Sequence, residues 1–160
     1  MELSALVDAY VDGIRTVRQS VAGMTPTQAA ARPVPGKWST LEVVCHLADF
    51  EAIYADRIKR VLSEDNPTLM SADEQRYAAC LAYQNRDLGE ELALIENVRK
   101  QLARILLSAP PDALKREGVF RHEGKDEKRT VESFLTSITN HIPHHVKFIH
   151  DKRAALGLPK

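Results

Sequence analysis

Leu3, Leu6, Val7, Tyr10, Val11, Ile14, Val17 and Val21 recur every three or four residues, the spacing that lines one face of an amphipathic helix. The pattern predicts a first long helix that ends near Gly23. Thr25-Pro26-Thr27-Gln28 then supplies an N-cap, a proline at the first helical position and a capping-box Gln, but Pro33, Pro35 and Gly36 halt it, leaving a short helical turn within a connection. Ser39 and Glu42 form a second capping box, with Trp38 placed before the cap to pack on Val43. A second long helix therefore starts at Thr40, carries Leu41, Val44, Leu47, Ile53, Ile58, Val61 and Leu62, and runs to about Ser63 before Asn66-Pro67 closes it. Residues 71–84 read as a short helical stretch. From Asp87 a third long helix passes through Leu92, Ile95, Val98, Leu102, Ile105 and Leu106 to a stop at Pro110-Pro111. The polar run from Glu117 to Arg129, with Gly118 and Gly124, reads as an exposed loop. Thr130 caps a last helix that reaches Leu156, with Gly157 and Pro159 as exit signals.

No window alternates apolar and polar residues as a half-buried strand requires, and no repeat of fixed period is present. The predicted fold class is therefore all-α. Long amphipathic helices of similar length, joined by uneven connections, bury their stripes most economically as an antiparallel four-helix bundle. A chain of 160 residues, 44% apolar and 28% charged, fits one domain over 1–160. Twenty-two basic residues balance twenty-two acidic ones, so no overall field draws the protein to nucleic acid or to a membrane. Glu2, Asp8, Asp12, Arg15 and Arg18 interrupt the start of the chain, which excludes a signal-peptide core or a membrane span there and makes a cytoplasmic protein the expectation. Cys45 and Cys80 sit in apolar segments without metal-knuckle spacing and are expected as reduced, mostly buried thiols.

Of the six histidines, His141 and His145 stand four apart on a helix, which puts both imidazoles on one face, a turn apart. Such a pair can converge on one ion at about 2.0–2.1 Å without distorting the backbone. His46 supplies a third ligand if the second and fourth long helices are neighbours, because bundle sites are built from side chains that face the core. His144 points about 100° away from His145 and is expected at the rim. Pro143 removes the amide that would bond the Thr139 carbonyl and is placed to bend the helix. Asp49, on or near the His46 face, is a candidate to orient that imidazole or to take part in water chemistry; a solvated carboxylate at the bundle mouth is the alternative. Cys45 and His46 diverge as helical neighbours, so a thiol–imidazole nucleophile is disfavoured.

Gly36-Lys37-Trp38-Ser39-Thr40-Leu41-Glu42-Val43-Val44-Cys45-His46-Leu47-Ala48-Asp49, together with His141-Ile142-Pro143-His144-His145-Val146-Lys147-Phe148-Ile149, resembles the two motifs of the DinB-like superfamily, which includes YfiT-like metalloenzymes. The resemblance covers most of the chain. It implies an up-down-down-up four-helix bundle with a three-histidine metal site on His46, His141 and His145, and a homodimer as a frequent assembly. Its members include thiol S-transferases and an isomerase that use low-molecular-weight thiols, and fold likeness does not choose among substrates.

Three neutral histidines leave a coordination position open, as catalytic zinc sites do. A divalent metal, zinc or nickel, is therefore the expected cofactor, since imidazole suits both. Acting on a small-molecule substrate, the site predicts a metal-dependent hydrolase or a thiol transferase. The alternative is a non-enzymatic stress-response or interaction bundle with a structural or vestigial metal site.

Overall fold

The computed structural model describes residues 3–110 and 112–159. Its long helices are α1 (Leu3–Val21), α3 (Thr40–Ser63), α5 (Leu88–Leu107) and α6 (Val131–Ala155), with α2 (Pro26–Ala30) and α4 (Glu74–Cys80) as short helices in the connections. They start where the caps stand. The Ser39 hydroxyl accepts from the Glu42 amide at 3.1 Å, while the Glu42 carboxylate accepts from the Ser39 amide at 2.7 Å. Asp87 and Thr130 cap α5 and α6 in the same way, satisfying first-turn amides that have no partner within the helix. α5 ends at Leu107; of the predicted Pro110-Pro111 stop, Pro111 lies outside the described residues.

Two apolar clusters fill the bundle and reveal how the helices run. One joins Leu6, Val7 and Tyr10 from the start of α1 to Ala55, Ile58 and Val61 from the end of α3, Leu102 and Leu106 from the end of α5, and Phe134, Leu135 and Ile138 from the start of α6. The other joins Val17 and Val21 to Val43, Val44 and Leu47, to Leu92 and Ile95, and to Ile142 and Ile149. The first cluster thus takes the early half of α1 and α6 and the late half of α3 and α5, and the second takes the reverse. α1 and α6 therefore point one way, and α3 and α5 the other, which is an up-down-down-up bundle. α1 and α3 each pack between α5 and α6.

Between the clusters a buried polar network crosses all four helices. Arg99 of α5 donates to Glu51 of α3 at 2.8 Å, to the Tyr10 carbonyl of α1 and to the Ile138 carbonyl of α6 at 3.2 Å, and the Tyr10 hydroxyl donates to Glu51 at 2.5 Å. Gly13 on α1 makes room for it, because a Cβ there would collide with the Arg99 guanidinium.

The expectation of a purely helical chain is corrected. Residues 117–129 are not a loop: β2 (Glu117–His122) and β3 (Lys125–Thr130) form an antiparallel hairpin, and β1 (Thr68–Met70) adds to β2 in parallel. Glu123 and Gly124 turn the hairpin with positive φ at both positions (48° and 76°), the signature of a two-residue turn matched to strand twist. Cross-strand pairs Glu117–Lys128 and Arg121–Asp126 and backbone pairing hold strands whose exposed faces are polar. Leu69 and Phe120 press the sheet onto the first apolar cluster, at the opposite end of the bundle from the histidines. Cys45 is buried as expected, but Cys80 at the end of α4 is exposed, since α4 buries none of its residues. None of the described helices is long and apolar enough to cross a membrane.

Candidate metal centre

The early half of α3 and the late half of α6 meet in the second cluster, and this brings His46 to His141 and His145. One ring nitrogen from each lies within 4.8 Å of those of the other two. The Nε2 atoms of His46 and His141 are 3.1 Å apart. Two nitrogens at about 2.0–2.1 Å from one tetrahedral ion stand about 3.3–3.4 Å apart, so the spacing is that of a chelate. Ring centroids are separated by 4.9 Å for His46–His141 and 4.6 Å for the two pairs that include His145.

Burial makes these imidazoles good ligands. Desolvation, joined by the neighbouring imidazoles, lowers His46 to about 3 and His141 to about 2. The same burial, with His144 and Lys152 nearby, lowers His145 to about 4. All three are neutral at pH 7, the form that coordinates. The Nδ1 atoms of all three are buried without a hydrogen-bond partner among the described residues, so no hydrogen bond on that side of the ring fixes its plane. Trp38 and Phe50 flank the His46 ring at 5.3 and 4.4 Å, and Phe148 lies 5.7 Å from that of His145. A set of neutral imidazoles, largely removed from water and with converging ring nitrogens, fits a divalent ion.

Asp49 is not brought to His46. Arg86, in the segment before α5, takes its carboxylate with two nitrogens at 2.9 and 3.3 Å. The carboxylate that does approach was not legible in sequence: Glu74 Oε2, in the first turn of α4, stands 3.9 Å from His46 Nε2 and is half-exposed. His144 lies at the rim, exposed, with its ring 5.0 Å from that of His145. α6 continues through Pro143, whose side is exposed. The Cys45 thiol faces away, donating to the Tyr83 carbonyl at 3.5 Å, and burial pushes it up to about 12; it is an inert core residue. A cleft of about 510 Å³ opens beside the histidines, walled by Trp38, Glu74, His144, His145, Phe148 and Lys152. The arrangement can hold one ion beside a cleft that His145 lines, with a carboxylate nearby.

A family model described as the DinB superfamily matches residues 9–149. YfiT of Bacillus subtilis, named as a candidate metal-dependent hydrolase, is 27% identical over 141 residues, which are 88% of this chain and 78% of that protein. A Geobacillus thermodenitrificans protein of the same description is 26% identical over 141 residues, again 88% and 78% of the two chains. The solved structure of Bacillus subtilis YfiT, described as an unusual four-helix bundle topology, matches with a TM-score of 0.87 at 24% identity over 98% of this chain and 89% of that one. That likeness establishes a shared fold.

Proposed function

The chain belongs to the DinB superfamily, and from that premise we propose that it is a metal-dependent enzyme in which His46, His141 and His145 hold one divalent ion, zinc or nickel, and leave a coordination position to the cleft. The observation that carries this reading is the convergence of three imidazoles, one buried and two half-buried and all kept neutral by desolvation, beside an open cleft that His145 lines. The names of its relatives favour hydrolysis of a small molecule. Transfer to a low-molecular-weight thiol uses the same parts.

A divalent ion bound there supplies Lewis acidity and makes water or a thiol easier to deprotonate. Glu74 Oε2 is the proton acceptor: it is the carboxylate beside His46, and general bases act from such a distance once substrate and a water close the gap. Trp38 and Phe148 give the cleft apolar walls that exclude solvent from the bound molecule. Asp49, paired with Arg86, ties the segment before α5 to α3 and takes no part in the proton transfer.

The test is turnover of a panel of esters, amides and thiol-plus-electrophile pairs by zinc- or nickel-loaded protein and by the same protein after chelation. Turnover that needs the ion and drops at least tenfold in Glu74→Gln, with metal content unchanged, is expected. Equal turnover with and without the ion overturns the reading.

A further inference from the structure

Lys152 lies seven residues after His145 on α6, which returns it to nearly the same face two turns on. Its side chain is only 4% exposed although it walls the cleft. Nζ donates to the Phe148 carbonyl at 3.0 Å, so the ammonium is drawn back one turn and sits between its own Cα and the histidines. An ammonium has three donors, and that carbonyl is its one protein partner in hydrogen bonding; it makes no salt bridge among the described residues. Buried lysines are normally paired, because an unpaired charge out of water is costly. Lys37 adds a second cation to the cleft, and its acidic lining residues are Glu74 at the histidine end and Asp151, which precedes Lys152 by one position on α6 and makes no ion pair with it among the described residues.

We propose that the cleft takes a substrate carrying a carboxylate, which the Lys152 ammonium binds about one helical turn beyond the three histidines, with Trp38 and Phe148 packing on the apolar segment between. This rests on the metal reading of the same site. The two donors left free on Nζ match two carboxylate oxygens, and the substrate supplies the direct ion pair that Asp151 and Glu42, the acidic groups near the ammonium, do not make among the described residues. A turn of helix is about 5.4 Å, which suits an acid whose reacting group is two or three carbons from its carboxylate. Lys152 is a binding residue here and takes no part in bond-making.

Cobalt-loaded protein separates this inference from the reading it rests on, using 3-mercaptopropionate and its neutral amide as probes and the thiolate-to-cobalt charge-transfer band as the readout. The acid is expected to bind at least tenfold more tightly than the amide in the native protein. That preference should collapse in Lys152→Gln, with cobalt stoichiometry and helix content unchanged. Equal affinities for acid and amide in the native protein, a comparison that needs no variant, overturn the carboxylate site and leave the metal site standing. A band with neither probe overturns the open metal position instead. Calorimetry of propanoate with metal-free protein then reads the carboxylate site alone: binding lost in Lys152→Gln supports it, and binding equal in both proteins, or absent from both, overturns it.

Discussion

At the scale of single residues, what distinguishes the candidate ligand histidines is the company of the ring. His144 and His145 are adjacent, yet one imidazole is exposed at the rim and the other meets His141 one turn earlier on α6 and His46 across the bundle. Replacing His46, His141 or His145 with Ala should therefore lower affinity for zinc or nickel at least a hundredfold, while His144→Ala should change it less than threefold. Calorimetric titration of one ion per chain checks this, and indistinguishable titrations for His144→Ala and His145→Ala would sink the assignment. Gly13 is a position of the opposite kind, with no chemistry of its own and a large packing consequence. Ala is ordinarily better in a helix by about 1 kcal/mol, but here its methyl collides with a guanidinium that is tied to three helices besides its own. Gly13→Ala should destabilise the protein by about 1–3 kcal/mol, as overpacking does, and a raised urea midpoint would show that the network has room to move.

At the scale of elements, the start of α3 joins stability to the site, because its cap lies seven residues before His46 and Trp38 packs both in the second cluster and on the His46 ring. Glu42 does double duty there, closing the capping box and pairing with Arg32. Ser39→Ala should cost about 0.5–2 kcal/mol, read as a lower denaturant midpoint, and an unchanged midpoint would show that the box contributes nothing. The long helices and their caps were legible because both signals are local: a stripe repeats every turn, and a cap stands three residues from its partner. The hairpin was not. β3 reads Lys125-Asp126-Glu127-Lys128-Arg129-Thr130, with no apolar residue to alternate, so its strand state comes from pairing with β2 rather than from its own pattern. The one local sign was Glu123-Gly124, where the hairpin turn needs positive φ twice.

At the scale of the whole molecule, up-down-down-up topology places the start of α3 beside the late half of α6, so residues ninety-five positions apart in sequence, His46 and His141, share one site. The i,i+4 pair was visible in advance because its geometry is helical, and His46 followed once the helices were taken as neighbours. Glu74 and Lys152 were not, since the first comes from a connection whose path depends on the assembled bundle and the second resembles any lysine near a helix end until its burial is known. Convergence also makes the molecule sensitive to acid even without metal. In the unfolded chain each histidine takes up a proton near pH 6.5, whereas in the fold burial lowers His46 to about 3, His141 to about 2 and His145 to about 4. Below pH 6.5 the unfolded state therefore binds up to three more protons than the folded one at these positions, and stability must fall as the pH falls. Glu42, whose burial is outweighed by its hydrogen bonds from Arg32 and Ser39 and which is lowered from 4.5 to about 2, acts in the same direction but only below about pH 4.5. The interval from pH 6.5 to 5 thus belongs to the histidines among these groups. Chelated native protein should lose urea stability across it relative to a His46→Gln, His141→Gln, His145→Gln triple variant, in which Glu51 and Glu91, both raised by burial, act in the opposite direction. Metal-loaded protein should start more stable at pH 7, because the ion binds the folded state, and should converge on the chelated curve as protons displace the ion. A chelated native protein with the same pH profile as the triple variant would mean that the three imidazoles are hydrated rather than packed against one another.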